Sequence, residues 1–411
     1  MKPLKILLSA YACSPYKGSE AGVGWNFIKN ISGHHIVHVI TEEIEFKRDI
    51  EKYLAENPGM INVTFHYIPR IIEYFSRVFP PFFYLFYNNW QKRAFKLALK
   101  LEEKENFDII HQLNFVGFRE PGYLWKINKP FVWGPVGGMD NTALKLLFNL
   151  DLQSFSYYFL RNIMNKLQIM LLSRPKEAAN RRNNLLIAAT PQTQVFIKKY
   201  WNCNSIVMPE VGQEERKNIN LVKRKPGETL QIIWSGQHTS GKALNVLLKS
   251  LAKLPHEIDW NLVVLGDGKK SNAWKMLAKK LNLDHKVKWA GWLPKALAHE
   301  KMMGAHLICI TSLKDLTSTV VLEGLSFGLP VVCIDHLGFA NVVNNQCGIK
   351  IPVLMPEQLT LAFAQAISNL YFNEDLRYKL AQGAASRAKD FSWSGKTEQL
   401  NQIYNSLVKQ T

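Results

Sequence analysis

Short apolar runs, each followed by a longer stretch with helical spacing, recur along the whole chain. In the first half they are 5–10 (K-I-L-L-S-A), 36–41 (I-V-H-V-I-T), 61–68 (I-N-V-T-F-H-Y-I), 107–114 (F-D-I-I-H-Q-L-N), 131–138 (F-V-W-G-P-V-G-G), 185–191 and 206–212. In the second half they are 230–235, 260–265, 287–290, 305–311 and 331–334. Most are continuously apolar rather than alternating, the pattern of strands buried on both faces. Strands alternating with helices predict a parallel, doubly wound α/β sheet. Two such series predict two domains. The break falls at N-L-V-K-R-K-P-G-E (220–228), whose Lys, Pro and Gly content suits a linker. The predicted partition is therefore a domain over 1–212, a linker over 213–228, a domain over 229–393 and a closing amphipathic helix over 394–411.

Composition changes this picture little. The chain has 411 residues, 47% of them hydrophobic and 20% charged, ordinary values for a globular protein. The opening K-P-L-K-I-L-L reads as a first strand rather than a signal peptide, because it runs straight into a polar, Gly-rich loop. No apolar run is long enough to span a bilayer. Five scattered cysteines (13, 203, 309, 333, 347) show no metal-ligand or redox spacing, which predicts reduced thiols in a cytoplasmic setting. The formal net charge is +18, and the excess divides evenly between the two halves. Such charge attracts anions in general. No zinc spacing, RNA-binding signature or basic zipper accompanies it, so nucleic acid is disfavoured as a partner.

The chemistry is concentrated in 315–332, D-L-T-S-T-V-V-L-E-G-L-S-F-G-L-P-V-V. Thr317, Ser318 and Thr319 favour a helix N-cap. Apolar positions 321, 322 and 325 give helical spacing, and Gly328 and Pro330 end it. The positive end of that helix, around Ser318, Thr319 and Val320, is an anion site. Asp315 and Glu323 bracket it, able to accept hydrogen bonds from sugar hydroxyls. Upstream, S-G-Q-H-T-S-G-K (235–242) is a glycine turn at a strand end, with Gly236, Gln237 and Lys242 suited to a diphosphate. Gly266 and Gly268 form a second turn in G-D-G. In the first half, His111 and Asn114 lie where strand 107–114 ends, the edge at which ligands bind in open α/β sheets. A lone strand-end histidine is also a common core residue. Gly18, Ser19, Glu20 and Gly22 form a Gly-rich loop after the first strand. It lacks the G-x-G-x-x-G spacing of dinucleotide enzymes, which disfavours NAD. Gly137 and Gly138 permit close backbone approach after strand 131–138.

Taken together, the acid pair with seven residues between its members and the following G-L-P-V-V resemble glycosyltransferase family 4. There a Glu, seven residues and a second Glu precede small-x-G-x-P-V-V. The ordered series of glycine turns before it is also similar, as are the F-S-W at 391–393 and the final helix. The resemblance is specific over about 230–410 and loose over 1–212. Asp stands here for the first Glu, L-T-S for the common G-F-G, and Gln237 for the usual Arg. The resemblance implies the GT-B fold, two Rossmann-like domains facing a cleft, with the last helix returning to the first domain. It implies a retaining, metal-independent transferase acting on a nucleotide-sugar. Its acceptor would be a glycan or lipid-linked glycan, in bacterial surface-polysaccharide synthesis. Asp315 would contact the transferred sugar, Glu323 the ribose and Lys242 the diphosphate. His111 would line the reacting carbon, and Gly18 to Gly22 with Asn114, Gly137 and Gly138 the acceptor-side wall. A helix dipole with Lys242 would stabilise the leaving group in place of a metal.

Two other functions stay open on sequence alone: a nucleotide-sugar 2-epimerase of the same architecture, and a catalytically silent subunit. A carboxylate pair of hydrolase type fits the anion-seeking helix tip poorly. Two stretches mix aromatic and basic residues. The first, 70–100, holds Tyr74, Phe75, Phe79, Phe82, Phe83, Tyr84, Phe86, Tyr87, Trp90 and Phe95 with six Lys and Arg against Glu73. The second is 151–182. Each suits either an anionic membrane surface, on the inner face of the cytoplasmic membrane, or a core-facing helix with a solvated basic face, with nucleic-acid binding through interleaved aromatics a lesser third reading.

Overall fold

The computed structural model describes residues 2–70, 80–216, 219 and 221–409. Two parallel sheets form, one for each series of apolar runs. The first contains β1 (Lys5–Ala10), β2 (Ile36–Glu42), β3 (Val63–Ile68), β4 (Ile109–Asn114), β5 (Phe131–Val136), β6 (Asn184–Ala188) and β7 (Ser205–Val207), in the order β3-β2-β1-β4-β5-β6-β7. The second contains β8 (Leu230–Ser235), β9 (Trp260–Leu265), β10 (Val287–Gly291), β11 (Leu307–Ile310), β12 (Val331–Ile334) and β13 (Gly348–Ile351), in the order β10-β9-β8-β11-β12-β13. β13 was not anticipated: C-G-I-K-I is too short and too mixed to stand out as an apolar run. Four helices matter below: α1 (Ser19–Ile31), α2 (Leu152–Leu171), α3 (Thr319–Ser326) and α4 (Trp393–Lys409).

Each sheet reverses its winding direction once. In the first, the crossovers run outward from β1 to β2 and β3, then restart at β4 on the other side. In the second they run from β8 to β9 and β10, then restart at β11. Loops leaving the two central strands therefore diverge and open a crevice at the carboxyl end, the position where such sheets bind ligands. Parallel sheets need helices on both faces. Accordingly Leu230, Ile232, Leu262, Val264, Leu307 and Val332 are buried against Leu244, Leu247, Leu248, Phe363 and Ile367.

The chain divides into two compact units that are not contiguous in sequence. One holds Met1–Asp140, Lys166–Glu210 and Trp393–Thr411; the other holds Asn141–Asn165 and Val211–Ser392. The segment Asn141–Asn165 therefore packs outside the 1–212 partition in which strand spacing kept it. Its contacts explain this: Leu146 is buried in the second core, and Asn245 Nδ2 donates to the Asn149 carbonyl at 3.0 Å. α4 packs in the first unit. There Lys396 Nζ donates to the Pro209 carbonyl at 2.5 Å and sits over the rings of Phe27 and Trp393.

The two aromatic-basic stretches have different fates. Residues 71–79, with Tyr74, Phe75 and Phe79, lie outside the described residues. In the part that follows, Tyr87 and Trp90 are core residues, both packed edge-on against Tyr11. Most of the apolar side chains of α2, by contrast, lie on the surface. Among the described residues no helix is long and apolar enough to cross a membrane.

Candidate functional site

In the second unit the loops after β8, β9 and β11 meet at the carboxyl edge of three neighbouring strands. After β8 the chain passes through Gly236 and exposed Gln237 to a 3-10 turn, Ser240–Lys242. Ala243 then adopts a left-handed conformation, φ 47°, and the next helix begins at Leu244. The turn is anchored from β11: Leu313 N donates to the Gly241 carbonyl at 2.7 Å, and Thr311 Oγ1 donates to the Lys242 carbonyl at 2.9 Å. Trp234 Nε1 holds that same hydroxyl at 3.0 Å.

The glycines of G-D-G have a packing reason of their own. At Gly266 (φ 108°) a Cβ would fall 2.0 Å from the Gly236 carbonyl oxygen, and at Gly268 (φ 153°) 2.8 Å from that of His238. Only glycine lets the loops after β8 and β9 approach this closely. Gly236 and His238 amides then bond to the Leu265 and Asp267 carbonyls at 3.1 and 2.9 Å.

The two residues assigned to diphosphate and sugar lie together. Lys242 Nζ and the Asp315 carboxylate form a partly buried ion pair. Asp315 precedes α3, whose N-cap position is Ser318. The Ser318 hydroxyl makes no capping bond, so the capping expected of that residue does not occur. Of the first-turn amides of α3, Val321 N bonds back to the Ser318 carbonyl at 3.1 Å, and the Ser318 side chain takes none of them. One turn further along α3 stands Glu323. His299 Nε2 approaches its carboxylate to 3.6 Å, and Arg216 donates to His299 Nδ1 at 3.2 Å. Arg216 also lies on the face of Phe327, 3.9 Å from the ring centre. His299 and Arg216 were missed in the sequence because they come from a different helix and from the linker.

Asn141–Asn165 adds a third group of missed residues. A Cβ on Gly241 would fall 2.5 Å from the Tyr158 hydroxyl, so Tyr158 lies directly on the Lys242 turn. Ser154 Oγ donates to Ser240 Oγ at 2.8 Å, and Lys270 pairs with Asp151 at 2.8 Å. Burial holds the Tyr158 phenol above its ordinary pKa; Arg161 lowers it, while Tyr157 and Asp315 raise it. The available signal was the i, i+4 spacing of Ser154 and Tyr158, a polar line on a helix otherwise apolar outside.

The first unit has its own crevice. A cavity of about 390 Å³ opens between the ends of β1 and β4, lined by Lys17, Gly18, Ser19, Glu20, Arg70 and Phe115 among others. Glu45 bridges its two cations, Arg70 at 3.0 Å and Lys17 at 3.4 Å. Glu20 accepts the Val116 amide at 3.2 Å. Burial pushes its carboxyl up to about 7; that amide pulls it back, and Glu210 adds to the rise. Ser19 has φ 54°, and a Cβ at Gly22 would fall 2.8 Å from the Lys17 carbonyl oxygen, so the turn into α1 is tight. Asn114 is buried and holds this turn from behind, its Nδ2 donating to the carbonyls of Ala12 and Glu20 at 2.8 and 3.1 Å. Gly137 bridges to Gly117, and Gly138 follows at φ 78°; neither lines the cavity.

His111 departs from its expected place at a crevice. β4 continues to Asn114, so His111 lies in mid-strand, fully buried. Its Nε2 donates to the Gly134 carbonyl at 2.7 Å, so the neutral ring accepts the Tyr404 hydroxyl at Nδ1, also 2.7 Å. Burial lowers its pKa to about 4, with the Gly134 carbonyl acting the other way. Both nitrogens are engaged inside the first unit, and the geometry gives His111 a structural role in place of the catalytic one.

Two parallel α/β domains define a class before any relative is considered. Solved structures of that class cover almost the whole chain. A glycosyltransferase from Rickettsia africae ESF-5 aligns over 100% of both chains with TM-score 0.67 at 16% identity. Anabaena Alr3699/HepE in complex with UDP covers 98% of this chain and 100% of its own, with TM-score 0.63 at 15% identity. The fold is GT-B. Residues 215–387 match the model of the family described as Glycosyl transferases group 1. Among curated proteins, the D-inositol 3-phosphate glycosyltransferase of Corynebacterium glutamicum (strain R) is 22% identical over 192 residues, 44% of this chain and 45% of that protein. The lipopolysaccharide 1,6-galactosyltransferase of Escherichia coli (strain K12) is 28% identical over 125 residues, 29% and 34% of the two chains. The matched region spans less than half the length of these relatives.

Proposed function

We propose that the protein is a retaining glycosyltransferase. It moves a sugar from a nucleotide-sugar to a glycan or lipid-linked glycan, in surface-polysaccharide synthesis in the cytoplasm. The observation that carries this reading is the Lys242–Asp315 pair beside the uncapped tip of α3. An ammonium and a set of helix N-terminal amides suit a diphosphate. Carboxylates on either side suit sugar and ribose hydroxyls. The name of a UDP-bound structural neighbour supports a nucleoside diphosphate donor, and that of a lipopolysaccharide galactosyltransferase supports a glycan acceptor.

In the reaction the bond from the anomeric carbon to the diphosphate breaks, and the acceptor oxygen bonds to that carbon. The acceptor proton leaves with the departing diphosphate. Lys242 and the α3 amides stabilise the charge that develops on that leaving group. Asp315 orients the sugar and Glu323 the ribose. No metal enters this scheme. A panel of nucleotide-sugars tested by thermal shift and ligand-observed NMR, followed by product analysis, tests it. One or more nucleoside diphosphate sugars should raise the melting temperature. A panel without any binder ends the proposal, and interconversion of the bound sugar without transfer turns it into an epimerase.

A further inference from the structure

One side chain beside the Lys242–Asp315 pair has a polar atom with nothing to bond. Tyr158 stands on α2, whose first turns are pinned to the loops of the second unit. Ser154 Oγ donates to Ser240 Oγ at 2.8 Å, and Asp151, just ahead of the helix, pairs with Lys270 at 2.8 Å. One turn beyond Tyr158, Asn162 exchanges hydrogen bonds with the Thr142 backbone at 2.7 and 3.1 Å. The phenol is therefore held from both directions along the helix. Its oxygen lies where two loops meet: a Cβ on Gly241 would fall 2.5 Å from it and 3.9 Å from the Lys314 Cβ. Those two loops carry Lys242 and Asp315. Among the described residues no group exchanges a hydrogen bond with the Tyr158 hydroxyl, although a half-buried tyrosine ordinarily finds a partner. Burial, opposed by Arg161 and assisted by Tyr157 and Asp315, holds the phenol above its ordinary pKa. At neutral pH it keeps its proton and can donate.

We propose that the Tyr158 hydroxyl donates a hydrogen bond to the sugar-bearing phosphate of the donor's diphosphate. The proposal rests on the nucleotide-sugar reading of the site and adds to it a wall from α2, outside the glycine turns and the acid motif. A diphosphate held by Lys242 and the tip of α3 brings oxygens to the meeting point of the two loops, where this donor stands ready. The turn after β8 supplies few other donors there: Gln237 is exposed, and Ser240 is engaged by Ser154. The nearby carboxylate is no rival acceptor, because Asp315 is paired with Lys242. A bond from the phenol to a phosphate oxygen is charge-assisted and therefore of the stronger kind. The two acids decide which phosphate it meets. Glu323 stands on the ribose side and Asp315 on the sugar side, and it is Asp315 whose charge reaches the phenol. Tyr158 therefore faces the phosphate that carries the sugar, the one on which charge develops when the sugar departs.

Titration of the full chain and of its Tyr158→Phe variant tests it, followed by ligand-observed NMR so that weak binders are measured too. The probes are a panel of nucleoside diphosphates, the matching monophosphates and the matching nucleotide-sugars. Phenylalanine keeps the ring against Gly241 and removes only an oxygen that no described residue bonds, so the melting temperature should match that of the parent. Diphosphate affinity should fall about tenfold, the value of one hydrogen bond to a charged group. Monophosphate affinity should stay as it was, a selectivity that a purely structural tyrosine would not produce. Equal diphosphate affinity in the two proteins overturns the proposal and leaves the donor site standing. So does an equal loss for mono- and diphosphates, or a loss seen with the nucleotide-sugars alone, which would put the phenol on the sugar. A parent that binds no nucleoside diphosphate overturns the donor reading itself, and this proposal with it.

Discussion

At the scale of single residues, the proposed donor site separates from the scaffold by what each side chain touches. Among the described residues the Glu323 carboxylate is paired with His299 alone, at 3.6 Å, so its removal leaves little of the fold unsupported. Glu323→Ala should therefore weaken nucleoside diphosphate or nucleotide-sugar binding by the value of a charged hydrogen bond, about 1.5–3 kcal/mol, with the melting temperature unchanged. Calorimetric titration measures this, and equal affinity in the two proteins would remove the ribose assignment. His111 should behave in the opposite way. His111→Ala leaves the Gly134 carbonyl and the Tyr404 hydroxyl buried without their partner, which costs about 1–3 kcal/mol each at most. Its melting temperature should fall while the folded protein keeps its turnover number. A loss of turnover at full stability would return His111 to the reacting centre.

Among the elements, α4 carries the clearest pH signature. Burial pulls the Lys396 ammonium down to about 7 from 10.5, with Glu210 opposing the shift. The folded state thus binds fewer protons than the unfolded chain between pH 7 and 10.5, and stability contributed by this group rises with pH across that window. The slope is at most about 1.4 kcal/mol per pH unit. Lys396→Met removes it, so the gain in melting temperature over the parent should be greatest near pH 7 and shrink toward pH 10. A difference constant with pH would mean that the ammonium is not desolvated. Such burial is not readable from S-G-K-T, where a lysine in a polar helix looks solvated. The same holds for much of the site. Strand runs such as Leu230–Ser235 and Val331–Ile334 were legible because burial on both faces leaves no polar position in the pattern. The turn at 240–242 and the acids at 315 and 323 were legible because they are local. Tyr158, His299 and Arg216 were not, since they reach the site through tertiary packing from segments with no glycine or acid motif. The end of strand 107–114 was read correctly, but His111 stands three residues before it, and its burial against Gly134 and Tyr404 comes from a neighbouring strand and from α4, which local pattern does not show.

For the whole molecule, the order of units along the chain has a consequence. The path leaves the first unit at Asp140, returns at Lys166, leaves again after Glu210 and returns at Trp393. A fragment ending near 212 therefore contains every strand of the first sheet and lacks α4. That helix buries Leu400 and Tyr404, gives the Tyr404 hydroxyl to His111 and sets Asn401 Oδ1 2.9 Å from His35 Nε2. Without it two internal histidines lose partners and an apolar helix seat opens to water, losses that together rival the usual stability of a domain, about 5–15 kcal/mol. The 1–212 fragment should bind a hydrophobic dye and melt without a cooperative transition. Joining 393–411 to it through a short Gly/Ser linker should restore a sigmoidal melt. A short linker suffices because Lys396 already bonds the Pro209 carbonyl at 2.5 Å, so the two ends to be joined are adjacent. Both fragments leave Asn141–Asn165 without its own core, so that segment cancels in the comparison. Equal, cooperative melting of the two would show that α4 is an accessory of the first sheet rather than part of its core.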